Sequence, residues 1–177
     1  GRDSERPRNN GPTSLDFEVP QSITPDRAST GMEPGTTRVL EVNQTETGAK
    51  HGAGELKGSH KTPRCRHVIR AKVGTDAAPN TVFVGRRPTG EVYTPQLRRR
   101  FPQRDWILTR ILWLSGTEVG RNRLGNVDTM RRYIYIHGMP DTEPLGVPGS
   151  IGCVRMRNAD LIELYDLVPA GTVVDIA

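Results

Sequence analysis

The sequence is dominated by one apolar run near its centre, residues 106–114, in which only Thr109 and Arg110 are polar. A run of this length fits a central strand that is buried on both faces, although its periodicity does not exclude a helix. Glycine and proline number 19 and 14, and aromatic residues make up only 5% of the chain. Because this composition favours a loop-rich β protein over a helical bundle, we predict that the run is a core strand of a mainly β domain.

Shorter strand patterns lie on either side of this run. Residues 38–42 and 66–73 alternate apolar and polar side chains, and residues 81–84 form a short apolar segment that ends at Gly85. Residues 173–176 are largely apolar and predict a last strand that returns to the sheet. These segments are separated by glycine-rich and proline-rich stretches, so the sequence predicts several short strands joined by turns.

A single helical pattern follows the second cysteine of the chain. Apolar residues recur at helical spacing after Asn158 until Pro169 interrupts the pattern. Asparagine is a favourable N-cap residue because its side chain accepts a hydrogen bond from the first turn. We therefore predict one C-terminal helix, capped by Asn158, that packs beside the loop carrying Cys153.

The first part of the chain differs in composition from the rest. Residues 1–35 are rich in proline, serine, threonine and charged side chains, and their apolar positions are scattered. Such a segment cannot bury enough apolar surface to offset the entropy lost on ordering. We predict that it is a flexible polar tail or linker and that residues 36–177 form one domain. No apolar run approaches the ~20 residues that span a bilayer, and we expect that any secretion signal has been removed or was never present, since residue 1 is not followed by a charged-then-apolar segment.

One histidine and one cysteine stand out as candidates for catalysis. Residues 133–136 alternate as a strand and lead directly to His137 and Gly138, and Cys153 follows after a loop. The loop could bring the imidazole to the thiol, which needs a base because a free cysteine of pKa ~8.5 is mostly protonated at neutral pH. The alternative interpretation is that Cys153 is a small buried apolar residue and His137 an ordinary strand-end residue.

The wider sequence around this pair resembles the L,D-transpeptidase (YkuD-like) family of cell-wall enzymes. That family has His-Gly, a loop, and then Ser-His-Gly-Cys, and this chain has His137-Gly138, a loop rich in proline and glycine, and Ser150-Ile151-Gly152-Cys153. The resemblance extends back to about residue 36 and forward to residue 176. It implies a β-sandwich or barrel of mixed strands with one C-terminal helix beside the cysteine loop.

The resemblance also implies roles for three catalytic residues. Cys153 would attack the carbonyl between the L-configured centre of a diamino acid and the terminal D-alanine of a peptidoglycan tetrapeptide stem. His137 would hold the thiolate as an ion pair and then pass the proton to the leaving amine. The backbone carbonyl of Gly138 would orient the histidine ring. The acyl group would go to an amine of a second stem, giving a cross-link, or to water.

The resemblance also implies that residues around the nucleophile bind the substrate. Backbone N–H groups at Gly152 and Cys153 could stabilise the oxyanion, and Ser150 belongs to the same substrate-binding loop. Arg155 would pair with a carboxylate of the stem. The resemblance implies no cofactor.

The chain departs from the family pattern at three positions. Ile151 stands where the family has histidine, and Met139 and Gly149 are also unusual. Isoleucine cannot form the hydrogen bonds of an imidazole, and Gly149 is expected to loosen the loop. A catalytically impaired homologue that binds cell-wall peptide is therefore the alternative function. A papain-type thiol hydrolase is a third possibility, although there the cysteine precedes the histidine.

The remaining cysteine and histidines indicate no further chemistry. Cys65 is expected to be a free thiol, because a bridge to Cys153 would silence the nucleophile. His51, His60 and His67 have spacings that match no helical metal pair, so no metal is predicted.

The charge of the chain points to an anionic partner. The net charge is +5, and arginines cluster at residues 98–100 and 131–132. No aromatic platform or helix-turn-helix pattern accompanies them, so we predict no nucleic-acid partner and favour an acidic cell-wall polymer. With peptidoglycan stems as the implied substrate, we expect an exported protein of the periplasm or cell envelope.

Overall fold

A computed structural model describes residues 15–17, 38–42 and 48–177 of the chain. These residues form nine strands: β1 (Leu15–Phe17), β2 (Arg38–Val42), β3 (Cys65–Val73), β4 (Thr81–Val84), β5 (Arg87–Val92), β6 (Ile107–Gly116), β7 (Tyr135–Gly138), β8 (Val154–Met156) and β9 (Val173–Ile176). Two α-helices, α1 (Pro95–Arg100) and α2 (Asn158–Leu167), and a 3₁₀ turn, Gly125–Val127, connect them.

All nine strands belong to one mixed sheet. The strand order is β1-β2-β9-β3-β6-β4-β5, and β7 continues the sheet from β6 to β8. The pairs β1–β2, β2–β9 and β7–β8 are parallel, and the other pairs are antiparallel. The prediction of a mainly β fold of mixed strands is confirmed, with the strands arranged as a single continuous sheet.

Strand β6 is the centre of this sheet, as the apolar run predicted. It pairs with β3, β4 and β7. Its alternate residues Leu112 and Leu114 are fully buried in the main core, whereas Ile111 is fully buried in a second cluster that contains Cys153. Because side chains alternate across a strand, β6 separates the core beneath the sheet from the face that carries the candidate site.

Helix α2 covers the core side of the sheet but does not begin as predicted. Leu161, Leu164 and Tyr165 pack into the main core. The N-cap is Arg157, without a side-chain hydrogen bond, and Asn158 is the first helical residue. The buried Asn158 amide instead bonds groups outside the helix, as described below, so the cap prediction is wrong.

The short helix α1 was not predicted. Thr94 caps it by accepting a 3.1 Å hydrogen bond from the backbone N–H of Leu97, and Pro95 occupies its first turn. Proline is well suited to that position because the first helical N–H groups lack intrahelical partners. The Thr-Pro pair is therefore the local signal for this helix, and the arginines that follow it are its last turn.

The predicted tail contains at least one ordered element. Leu15–Phe17 form β1, which pairs in parallel with Arg38–Leu40 of β2. These backbone groups form an edge of the sheet, and the division into a tail and one domain stays a prediction. The remainder of residues 1–35 lies outside the described part of the chain.

A buried histidine in β3 makes the stability depend on pH. His67 is fully buried, with Nδ1 2.8 Å from the Cys65 carbonyl oxygen and Nε2 3.1 Å from Thr129 Oγ1. Burial lowers the pKa of His67 from 6.5 to about 4. The unfolded chain binds this proton near pH 6.5, so stability is full above that pH and falls as the pH decreases towards 4.

We expect the free energy of unfolding to fall by on the order of 3 kcal/mol between pH 7 and pH 4 because of His67. Urea denaturation at several pH values would measure it. His67→Gln, which does not titrate, should show a distinctly shallower decrease over the same range. Parallel pH profiles for the two proteins would contradict the assignment.

Candidate active site

Strands β7 and β8 bring the histidine and the cysteine to one face of the sheet. The strands are parallel, with Ile136 opposite Val154 and His137 opposite Arg155. Val154 points into the main core, and because side chains alternate, Cys153 and Arg155 point to the opposite face together with His137. The loop between the strands therefore places the thiol and the imidazole on adjacent strands, facing the same way.

His137 is held as a neutral base. Its side chain is fully buried, and Nδ1 lies 2.8 Å from the Gly138 carbonyl oxygen. A carbonyl only accepts hydrogen bonds, so Nδ1 carries the proton and Nε2 has the lone pair. Among the described residues, Nε2 has no hydrogen-bond partner. Burial lowers the pKa of His137, against weaker opposing effects of Asp105 and the Gly138 hydrogen bond, so the ring stays unprotonated at neutral pH.

The Cys153 thiol is also neutral in this structure. Its side chain is only 7% exposed. Sγ accepts the backbone N–H of Tyr135 at 3.3 Å and donates to the Tyr133 carbonyl oxygen at 3.4 Å, and none of the described hydrogen bonds joins it to His137. Burial raises the pKa of Cys153 to about 12, although the Tyr135 N–H lowers it in part.

None of the described contacts joins the Cys153 thiol to the His137 ring, as the expected thiolate–imidazolium pair would require. Burial removes water from both groups, which disfavours the thiolate and the imidazolium alike. The sequence could place Cys153 and His137 near each other, but it carried no information on how deeply they are buried. The ion pair of Cys153 and His137 therefore stays a prediction, which the burial of both groups opposes.

Ser150 and Gly152 form the turn that presents the cysteine. Ser150 is buried, its hydroxyl donates to the Cys153 carbonyl, and it accepts the Gly152 N–H at 3.2 Å. Gly152 has a φ of 134°, and a Cβ there would lie 2.9 Å from Ile134 Cδ1. Only glycine fits this backbone. The Gly152 N–H, a predicted oxyanion donor, is thus engaged by Ser150 in this state.

Arg155 is held by the same loop. Its Nη1 forms a 2.7 Å ion pair with Glu143, and Nη2 donates to the Val147 carbonyl at 3.1 Å. A Cβ at Gly149 would collide with the Arg155 guanidinium. Gly149 is also tied by a 3.2 Å hydrogen bond from its N–H to the Gly48 carbonyl. Glycine here allows the guanidinium to pack closely, and the prediction that Gly149 loosens the loop stays a prediction.

Ile151 lies at the mouth of a cavity beside this loop. Its side chain is 59% exposed. The cavity has a volume of about 280 Å³ and is lined by Asp105, Trp106 and Arg155 among others. Met139, the other unusual residue, is fully buried instead. The position that departs most clearly from the family pattern thus faces solvent and the cavity, not the core.

A buried polar network that the sequence did not predict supports the histidine. Thr109 lies in a bulge of β6 with a φ of 71°, and its hydroxyl donates to Asn158 Oδ1 at 2.5 Å. Asn158 Nδ2 donates to the Met139 carbonyl at 2.9 Å. A Cβ at Gly138 would collide with Asn158 Oδ1. This network fixes the backbone of Gly138, whose carbonyl holds the His137 ring.

On the other side of the thiol lies a second feature that sequence reasoning missed. Arg86 Nη1 donates to the Tyr135 hydroxyl at 2.9 Å. Its guanidinium carbon lies 4.6 Å from the ring centre of Trp113 and 4.9 Å from that of Tyr133. The sequence offered no sign of this cluster, because Arg86 is distant from the other three along the chain.

The described residues form no metal site and no membrane-spanning helix. Within the described residues, no three His, Cys, Asp or Glu side chains converge as metal ligands. The helices of this part of the chain are too short or too polar to cross a membrane. Cys65 and Cys153 are both free thiols.

Comparison with known proteins gives several short or distant relatives. The putative L,D-transpeptidase YkuD of Bacillus subtilis (strain 168) is 44% identical over 46 residues, which is 26% of this chain and 28% of that protein. L,D-transpeptidase 3 from Mycobacterium tuberculosis is 15% identical with a TM-score of 0.40, covering 75% of this chain and 43% of that one.

An L,D-transpeptidase (residues 123–326) from Xylanimonas cellulosilytica DSM 15894 is 17% identical with a TM-score of 0.41, covering 86% of this chain and 63% of that one. The chain thus spans less than two thirds of the length of each of these relatives. The model of the L,D-transpeptidase catalytic domain, YkuD, matches residues 22–176. Because this match covers most of the chain, including both strands that carry the candidate site, the chain belongs to the L,D-transpeptidase catalytic domain (YkuD) family.

Proposed function

We propose that this protein is a cysteine-dependent L,D-transpeptidase that acts on peptidoglycan stem peptides. The observation that carries the proposal is the buried, unpartnered Nε2 of His137, which shares a sheet face with the Cys153 thiol. An unpaired acceptor in a buried site is unfavourable unless it has a function. A base that lacks a proton donor, next to a nucleophile that needs one, fits general-base activation of the thiol.

The first step begins from the neutral pair. The Cys153 S–H turns from the Tyr133 carbonyl towards His137 Nε2, which takes the proton as Sγ attacks the carbonyl carbon before the terminal D-alanine. The Gly138 carbonyl stabilises the imidazolium that forms, through its hydrogen bond with Nδ1–H. The new S–C bond gives a tetrahedral oxyanion, which the Cys153 N–H stabilises together with the Gly152 N–H, once the latter exchanges the Ser150 hydroxyl for the oxyanion.

The second step releases D-alanine and transfers the acyl group. The C–N bond of the tetrahedral intermediate breaks, and the leaving amine takes the proton from His137 Nε2, which leaves a thioester on Cys153. An amine of a second stem then attacks the thioester and gives its proton to Nε2. As the S–C bond breaks, the thiol regains that proton and a cross-link between the stems remains. Attack by water gives hydrolysis instead.

The neighbouring residues position the substrate in this proposal. Arg155 pairs with a stem carboxylate by exchanging its partner Glu143, and the adjoining cavity of about 280 Å³ receives part of the stem. Ser150 is buried and positions the cysteine loop, because its hydroxyl donates to the Cys153 carbonyl and accepts from the Gly152 N–H. The basic charge of the chain favours an acidic wall polymer, and we place the protein in the periplasm or cell envelope.

The alternative is an impaired homologue that binds cell-wall peptide, and it rests on Ile151. We expect that Ile151→His raises the rate of cross-linking of a tetrapeptide donor by ~10-fold or more, since a positioned hydrogen bond at an active site can contribute 10²- to 10³-fold. The side chain is 59% exposed, so the substitution should leave the melting temperature almost unchanged. Product formation and D-alanine release, followed by mass spectrometry, measure the effect.

The wild type in the same assay separates the two functions. Cross-linking by the wild type at ~1 per second or more, with no gain in Ile151→His, would exclude the impaired homologue. If both proteins bind peptidoglycan and neither releases D-alanine, the proposed enzyme is wrong and the binding function replaces it. Leu56→His, at another exposed apolar side chain outside the candidate site, is the matched control for adding an imidazole.

A further inference from the structure

We propose that Arg86, at the tip of the β4–β5 hairpin, binds a carboxylate of a peptide stem engaged at Cys153. The inference rests on the proposed function, because it assigns a substrate contact to the same site. It adds a second cationic position on the side of the thiol opposite to Arg155.

The backbone at Arg86 is unusual for its residue type. Gly85 and Arg86 connect β4 to β5 with φ angles of 54° and 66°. Two consecutive positive φ angles define the tight turn that favours glycine or asparagine. An arginine adopts this left-handed conformation only at an energetic cost. A residue kept in a disfavoured conformation points to a function of its side chain.

The side chain is held in place by aromatic residues. The guanidinium carbon is 4.6 Å from the ring centre of Trp113 and 4.9 Å from that of Tyr133, and Nη1 donates to the Tyr135 hydroxyl at 2.9 Å. Stacking on rings fixes a guanidinium while leaving its edge free for hydrogen bonds. The guanidinium is therefore pre-organised for a planar anion.

Arg86 has no anionic partner among the described residues, unlike the arginines nearest to the cavity. Arg98 and Arg155 are both paired with Glu143, and Arg104 is paired with Glu91. The Nη1 bond to Tyr135 is the only hydrogen bond that the Arg86 side chain makes within the described part of the chain. Guanidinium groups have five N–H donors and match carboxylates bidentately, so Arg86 keeps the donors that such a ligand requires.

The position of Arg86 relative to the nucleophile follows from two tyrosines. Cys153 Sγ contacts the backbone N–H of Tyr135 and the backbone carbonyl of Tyr133. Arg86 contacts the side chains of the same two residues. A peptide bound at the thiol that extends along Tyr135, away from Arg155, therefore meets the Arg86 guanidinium. The carboxylate can belong to the donor stem or to the acceptor stem.

The test measures peptide binding to proteins that carry Cys153→Ala, so that no reaction occurs. The probes are a tetrapeptide donor stem and a tripeptide acceptor stem, each with free carboxylates and with one carboxylate at a time converted to a carboxamide. Isothermal titration calorimetry gives the affinities for the Cys153→Ala background and for the same background with Arg86→Gln, Arg86→Lys or Arg87→Gln. Arg87 is the matched control, since it is the exposed next residue of the hairpin.

We expect the background protein to prefer one carboxylate, distinct from the one that pairs with Arg155, over its carboxamide by ~10-fold or more, as for a hydrogen bond to a charged group. Arg86→Gln should abolish this preference, Arg86→Lys should retain part of it, and Arg87→Gln should leave it intact. Whether the donor or the acceptor peptide loses its preference in Arg86→Gln identifies the stem whose carboxylate Arg86 binds. If Arg86→Gln leaves the carboxylate preferences of both peptides unchanged, the inference is wrong.

Acylation of the wild-type thiol separates this inference from the proposed function. Suppose that the tetrapeptide acylates Cys153 in the wild type, but that Arg86→Gln in the Cys153→Ala background leaves the affinity for every peptide unchanged. Then only the Arg86 assignment fails. If no acylation occurs while the carboxylate preference depends on Arg86, the enzyme fails and the binding site stands. Thermal unfolding of each variant shows whether a loss reflects binding or folding, and Arg86→Lys serves if Arg86→Gln does not fold.

Discussion

Cys153→Ala should abolish covalent labelling by a carbapenem and lower acyl transfer by on the order of 10⁶-fold, as expected when a nucleophile is removed. The reason is that the proposed acyl bond is a thioester on Cys153, and the other free thiol, Cys65, lies at the start of β3. A carbapenem is the appropriate probe because the resemblance to L,D-transpeptidases implies that its ring opens on the catalytic thiol. Intact mass spectrometry of the protein before and after incubation measures the adduct directly.

Cys65→Ala is the matched control for this experiment. Cys65 is the other free thiol, is partly exposed, and lies at the start of β3. The variant should label as the wild type does. An adduct on Cys153→Ala that disappears in Cys65→Ala would show that the wrong cysteine has been assigned.

His137→Gln should lower the rate of acylation by ~10²- to 10⁴-fold, which is the contribution of a positioned general base. The wild-type rate should be almost constant at neutral pH and fall only in acid. Burial lowers the pKa of His137, so Nε2 stays unprotonated until the pH is below the ordinary range of histidine. Acylation by the same carbapenem at several pH values, followed by mass spectrometry, would give both profiles.

The variant should depend on pH in a different way. Without the base, the Cys153 thiol must lose its proton to the solvent before it can react. Burial raises the pKa of this thiol to about 12, so only a small fraction is thiolate at neutral pH. The residual rate should therefore rise ~10-fold per pH unit through the neutral range. Identical pH profiles for the wild type and His137→Gln would show that His137 does not activate the thiol. Melting curves of both proteins check that the fold is retained.

The sequence predicted the strands well where apolar content alone determines them. Residues 38–42, 81–84 and 173–176 form strands with the predicted limits, and the apolar run from residue 106 is the central strand β6. Burial of apolar side chains on a sheet is a local pattern that a single sequence contains. The placement of Cys153 and His137 on the same face of the sheet was also predictable, because one loop connects the two strands.

The features that the sequence did not reveal depend on tertiary contacts. Asn158 was interpreted as a helix cap because its local pattern fits one, whereas the fold uses its amide to hold Thr109 and Met139. The close packing of the Arg155 guanidinium against Gly149 is another contact between residues that are separate in the chain, and no sequence pattern indicated it. The protonation states of Cys153 and His137 depend on burial, which no motif encodes.

The protonated resting thiol has a consequence for damage by oxidants. Peroxides and disulfides react with the thiolate, not with the thiol. With its pKa raised to about 12 and its side chain 7% exposed, Cys153 offers almost no thiolate to such reagents before the proposed proton transfer to His137. The same burial that delays activation thus protects the nucleophile from sulfenic acid formation and from unwanted disulfide exchange.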